Sequence, residues 1–195
     1  MNYLAHALLS PSDPLILMGN LWGDLLKPRD YGLVSPDIIK GIERHRAIDA
    51  YTDSHSAVDE MMRLLRPHQG KYTPVVADVL MDFILSKMWH QYHSRPLEDF
   101  CQSIYQTVTS HLDTIPDRLH PRINRMLGHR WLESCKNRQR MEQTLVMLSK
   151  RASFENTIPE ALYPYDLHQE QMDSLFVDFF GDVQRYLNLQ NEDLS

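Results

Sequence analysis

At 195 residues, 43% hydrophobic and 24% charged, the chain has ordinary globular usage, which excludes a disordered polyelectrolyte and predicts a single domain over 1–195. A net charge of −6 argues against general nucleic-acid binding, and apolar runs such as Pro14 to Met18 fall far short of the ~20 residues that cross a bilayer, so neither nucleic acid nor membrane is an expected partner. Two widely spaced cysteines, Cys101 and Cys135, exclude a disulfide scaffold and a zinc ribbon and, with no leader-like start, predict a protein of the reducing cytoplasm.

Glycine is scarce, β-branched alternation is nearly absent, and apolar positions recur at three- and four-residue spacing, so an all-α helical bundle is expected. The pattern predicts helices at about 2–9, 14–27, 36–55, 56–66, 73–92, 96–112, 116–128, 139–151 and 166–188. Ser35 before Pro36 and Thr73 before Pro74 read as N-caps, Pro67 to Lys71 as a break, and the tail after Asn188 as frayed. The last helix carries an apolar face of Met172, Leu175, Phe176, Phe179 and Phe180.

Chemistry-bearing residues recur along these helices. His6 lies in an apolar setting, where a core histidine competes with a ligand as the reading. Asn20 and Asp24 share a face of the second helix, and Gly19 and Gly23 beside them, costly in a helix interior, predict close approach of another element or of a ligand. On the third helix, four residues advance the axis by ~6 Å with little rotation, so His45, Asp49 and Asp53 form a polar row flanked by Ile38, Ile39, Ile42, Ile48 and Tyr51. An imidazole and carboxylates so spaced can chelate a divalent cation, and this nitrogen and oxygen mixture suits Mn, Fe or Zn better than Ca; a helix-surface His–Asp pair is the competing reading. Asp78 and Asp82 sit in the nearly apolar segment Val75 to Leu85, where a cation, or an ion pair with Arg46, would have to answer them. His90 and His93 offer a further pair, or simply the wet end of a helix. Between Arg118 and Arg151 nine Lys or Arg face two acids, a local charge of +7 that would steer an anionic partner or form only a solvated surface. Phosphate loops, nucleophile elbows and H-E-x-x-H are all missing.

Met1-Asn2-Tyr3-Leu4-Ala5-His6, Gly19-Asn20-Leu21-x-x-Asp24, His45-Arg46-x-Ile48-Asp49-x-x-Thr52-Asp53, and Asp82 seven residues before Trp89, in this order and spacing, resemble the acyl carrier protein phosphodiesterases. The likeness in motifs runs from the first residue to about Trp89. Asp82 is followed by Phe83, where the family often has a histidine. The resemblance implies a fold similar to the HD-type metal-dependent phosphohydrolases, although this chain has no His-Asp dipeptide. It also implies Mn²⁺-dependent hydrolysis of the phosphodiester joining 4′-phosphopantetheine to a serine of holo-acyl carrier protein. On that reading Asp24, His45, Asp49 and Asp82 hold the cation, His6, Arg46 and Asp53 are catalytic candidates, and Asn20 contacts substrate. Arg122, Arg125 and Arg130 meet the acidic carrier. Two alternatives stand beside it: an HD-type nucleotide phosphohydrolase, and a non-catalytic helical module that binds an acidic protein.

Overall fold

Asp13 and Ser35 start the two helices that carry most of the chemistry. The Asp13 carboxylate accepts from the backbone N–H groups of Leu15 and Ile16 at 2.9 and 3.0 Å, and the Ser35 hydroxyl accepts from that of Ile38 at 3.3 Å; proline follows each cap. A computed structural model describes residues 2–192, with side chains through Leu189. It is all-α as expected: α1 Tyr3–Leu8, α2 Pro14–Trp22, α3 Pro36–Ser54, α4 Ser56–Gln69, α5 Thr73–Lys87, α6 Leu97–Ser110, α7 His120–Gly128, α8 Arg138–Arg151, α9 Leu162–Leu167 and α10 Gln169–Glu192, joined by 3₁₀ turns, with no strand among the described residues. None of these helices is long and apolar enough to cross a membrane.

Several helix ends differ from expectation for local reasons. The second helix stops at Trp22 rather than near 27, because Leu25 and Leu26 both donate to the Trp22 carbonyl in a tight turn, and Pro28 disfavours helical geometry at Lys27. Pro67 does not break α4. It sits exposed in the last turn, and the helix ends instead at Gly70, whose φ of +51° only glycine adopts freely and whose N–H donates to the Arg66 carbonyl. Thr73 is not an N-cap acceptor, since its hydroxyl donates to the Gly70 carbonyl at 2.7 Å. The segment 73–92 becomes α5 and a separate 3₁₀ turn at Trp89–Gln91; 116–128 likewise opens with a 3₁₀ turn, and the last helix runs on through Glu192 instead of fraying after Asn188. Residues 193–195 of that tail lie outside the described residues.

The chain clusters into two compact units. Among the described residues the first comprises 2, 50–87 and 134–192, and the second 3–49 and 88–133. In the first, α10 lies against α4 and α5, with Met172, Phe176, Phe179, Phe180 and Val183 of α10 buried, as are Met61 and Leu65 of α4 and Val76, Leu80 and Ile84 of α5. Lys87, Tyr165 and Asp173 form a polar knot at its edge, with the Tyr165 hydroxyl donating to Asp173 at 2.9 Å.

The second unit is organised by a backbone contact between α2 and α3. A Cβ placed on Gly19 would lie 2.1 Å from the Ile38 carbonyl oxygen, and one on Gly41 would lie 2.2 Å from that of Ile16. Since backbone cannot yield as a flexible side chain does, Gly19→Ala or Gly41→Ala should destabilise this unit by about 3 kcal/mol or more, seen as a lower midpoint in urea unfolding at unchanged slope.

Asp30 is almost fully buried, accepting from the Lys27 backbone N–H at 2.7 Å and from the Arg118 guanidinium. The Arg118 hydrogen bonds, then that of Lys27, hold its carboxyl below the usual range. A depressed folded-state value contributes stability that is present above the unfolded carboxylate pKa and lost as pH falls through the folded one. Asp30→Asn should therefore cost about 2 kcal/mol near neutrality, with the two melting temperatures converging as the pH is taken below the ordinary carboxylate range.

Candidate metal centre

Five residues singled out in the sequence meet in the second unit: His6 of α1, Asn20 of α2, Asp24 in the turn after it, and His45 and Asp49 one turn apart on α3. Asn20 is fully buried and fixes both imidazoles. Its amide nitrogen donates to the His6 carbonyl at 3.0 Å and to the Ser10 hydroxyl at 2.8 Å, so its side-chain oxygen faces the His6 ring and accepts from Nδ1–H at 2.9 Å. Its backbone carbonyl accepts from His45 Nδ1–H at 2.7 Å. In both neutral rings the lone pair then falls on Nε2.

Both Nε2 atoms lie close to carboxylate oxygens. His6 Nε2 lies 3.2 Å from Asp49 Oδ1; His45 Nε2 lies 3.2 Å from Asp49 Oδ2 and 3.4 Å from Asp24 Oδ1. The His45 contacts are close in distance but lack hydrogen-bond geometry, and Nε2 is buried without a hydrogen-bond partner among the described residues. The two rings stack with centroids 4.2 Å apart. Room for this comes from Gly23, where a Cβ would fall 2.5 Å from the His45 ring. Such a close approach is what the sequence predicted for the glycines of this helix.

Charge accounts for the arrangement only in part. Burial pushes His6 below the ordinary histidine range, against the opposing effect of its contact with the Asp49 carboxylate. Burial also opposes charge on His45, but its contact with Asp24 and the nearby Asp49 charge outweigh that and raise it. The contact with His45 lowers Asp24, and His6 lowers Asp49 against burial. One proton can therefore sit on His45, while the second imidazole presents a lone pair to a carboxylate oxygen. A divalent cation is one species that such a donor set could hold. Nitrogen and oxygen ligands at 2.0–2.2 Å from a tetrahedral or octahedral ion lie about 3.0–3.5 Å from one another, matching the spacings seen. The ligand atoms of His6, His45 and Asp49 all fall within 4.8 Å of one another. Exposure rises outward through the cluster, from 3% for the His6 side chain and 8% for His45 to 34% for Asp49 and 82% for Asp24.

Asn20, expected as a substrate contact, is enclosed and spends its polar atoms on the histidines. Nothing in the i, i+4 pattern reveals which atoms it would meet. Arg46 is exposed, donates to the Tyr31 hydroxyl, and lays its guanidinium 5.6 Å from that ring's centroid. Asp53, Asp78 and Asp82 belong to the first unit, where Asp53 is exposed, Asp78 half-buried and Asp82 4% exposed. Burial, then the Asp82 charge, pushes the Cys135 thiol there up to about 12. The basic run is divided between the units, and part of its charge is used internally: Arg118 pairs with Asp30, Arg130 with Glu133, and Arg138 with Asp166. Arg122 and Arg125 are exposed on α7. His93 stacks on Trp89 with centroids 5.4 Å apart, and His90 is exposed.

Groups that orient ligands through hydrogen bonds commonly govern metal affinity by about 10–100-fold, so Asn20→Ala should weaken Mn²⁺ binding by that factor in isothermal titration calorimetry. Binding unchanged by this substitution would remove the cation from the site.

A sequence model of the acyl carrier protein phosphodiesterase family matches residues 1–183. Among curated relatives, an acyl carrier protein phosphodiesterase of Klebsiella pneumoniae (strain 342) is 28% identical over 186 residues, 95% of this chain and 96% of its own. One of Yersinia pestis is 27% identical over the same shares, and one of Escherichia coli O6:K15:H31 is 28% identical over 92% of this chain and 94% of its own. No solved structure matches. With the family pattern extending over nearly the whole length, the chain belongs to the acyl carrier protein phosphodiesterase family.

Proposed function

We propose that this chain is a divalent-cation-dependent phosphodiesterase, with Mn²⁺ as its ion, that hydrolyses the bond between 4′-phosphopantetheine and a serine of holo-acyl carrier protein, releasing apo-protein and free 4′-phosphopantetheine. Family membership supports the activity class and the carrier as substrate. The single observation that supports a cation is the convergence of two imidazole Nε2 atoms on Asp49, each 3.2 Å from one of its oxygens, with that of His45 buried and lacking a hydrogen-bond partner among the described residues.

On this reading His6, His45, Asp49 and Asp24 hold the ion. When bound, it supplies Lewis acidity to the phosphoryl group and lowers the pKa of a water molecule into the working range. The remaining work belongs to the chain. Asn20 holds both rings in the tautomer that leaves Nε2 free to bind. Asp49 spans both imidazoles through its two oxygens, while the exposed Asp24 forms the rim at which substrate arrives. Since His6 donates through Nδ1 to Asn20 and turns Nε2 inward, it serves better as a ligand than as the acid for the departing serine oxygen. Arg46 has only the neutral Tyr31 as its described partner, so its charge is available to the substrate. Water adds to phosphorus, the phosphorus–serine oxygen bond breaks, and the serine recovers a proton. Arg122 and Arg125 supply exposed positive charge for an acidic carrier.

Incubating the purified protein with holo-acyl carrier protein and Mn²⁺, and following the carrier by mass spectrometry, should show loss of the phosphopantetheine arm. EDTA should stop it, and His45→Ala should slow it by more than about a hundredfold. A carrier that keeps its arm under every condition would overturn the substrate, and equal turnover in EDTA would overturn the cation.

A further inference from the structure

The turn after α2 ties an ammonium group to the main chain of Asp24, at a residue that no motif singled out. Lys27 Nζ donates to the backbone carbonyl of Asp24, the residue whose carboxylate approaches His45, at 2.6 Å. The turn fixes the main chain of Lys27. Lys27 N–H donates to Asp30 Oδ2 at 2.7 Å, Asp30 N–H donates back to the Lys27 carbonyl at 2.8 Å, Pro28 restricts the backbone between them, and Arg118 anchors the Asp30 carboxylate from α7's side of the unit. Among the described residues Lys27 makes no ion pair. Its ammonium is exposed, and the carbonyl takes one of its three N–H bonds.

A charge count then points to a use. Two carboxylates and two neutral imidazoles balance a divalent cation, so a phosphodiester arriving at that centre adds a single negative charge, and hydrolysis builds up more on the phosphoryl oxygens. A lysine, unlike an arginine committed to a carboxylate, meets such a group as a compact point charge with donors to spare. We propose that Lys27 binds a non-bridging oxygen of the substrate's phosphodiester, acting as the anion-recognition residue of the centre. This rests on the proposed function above and adds a residue that touches the reacting group.

The test uses inorganic phosphate as the probe, titrated into the Mn²⁺-loaded protein by calorimetry, alongside kcat/KM for both holo-acyl carrier protein and bis(p-nitrophenyl) phosphate. Lys27→Met should weaken phosphate binding and lower kcat/KM on both substrates by about tenfold or more, the effect expected for one charge-assisted hydrogen bond, while Lys27→Arg should recover most of the loss. Mn²⁺ affinity and thermal stability should stay at wild-type values in both variants. Unchanged phosphate affinity in Lys27→Met would overturn the assignment, as would wild-type protein that binds no phosphate. A defect on the carrier alone would also overturn it, making Lys27 a docking charge, and a parallel loss of Mn²⁺ affinity would reduce it to a support for Asp24. Failure of the wild type to release phosphopantetheine would sink the proposed function while the phosphate titration still decided the role of Lys27.

Discussion

The second unit hangs on a place where two helices touch through their backbones. With Gly19 and Gly41 facing each other, α2 and α3 approach until any side chain at either position would overlap a carbonyl of the other helix. Only at that separation can a side chain of α3 reach a backbone carbonyl of α2, as His45 reaches that of Asn20 at 2.7 Å. Close packing is thus what turns a surface row of polar residues on one helix into an enclosed cluster shared with another.

Within that frame a single amide sets the chemistry. Asn20 uses its side-chain oxygen for one histidine, its main-chain oxygen for the other, and its amide nitrogen to tie the His6 backbone and Ser10 into the same network. A fully buried amide left without these partners would be costly, and here the side-chain oxygen and nitrogen both have them. Burial and satisfaction together make the two ring orientations one property, so the histidines do not adjust independently.

Much of this could be read from the sequence because it depends on spacing. The row His45 and Asp49, the pair Asn20 and Asp24, and the glycines beside them are periodic features, and the helix carries that periodicity directly into space. Helix ends were less legible where neighbours decide them. Pro67 suggested a break, yet it stands in a last turn where little is lost, and the actual stop lies at Gly70. The basic run was read as one charged stretch, but linear charge says nothing of tertiary partners: Arg118 goes to a buried Asp30, and Arg130 to Glu133. Lys27 carried no signal at all, because its place depends on a turn whose geometry is fixed by a residue far along the chain.

The gradient of exposure through the cluster, from 3% at His6 to 82% at Asp24, bears on kinetics rather than affinity. A hydrated ion entering such a cup would meet the exposed Asp24 carboxylate first and the imidazoles last, shedding its water shell in stages. Leaving would reverse the order, with release from the enclosed nitrogens as the slow step. Loading would then be set by the rim, and stripping, with exchange for competing ions in the medium, by the enclosed nitrogens.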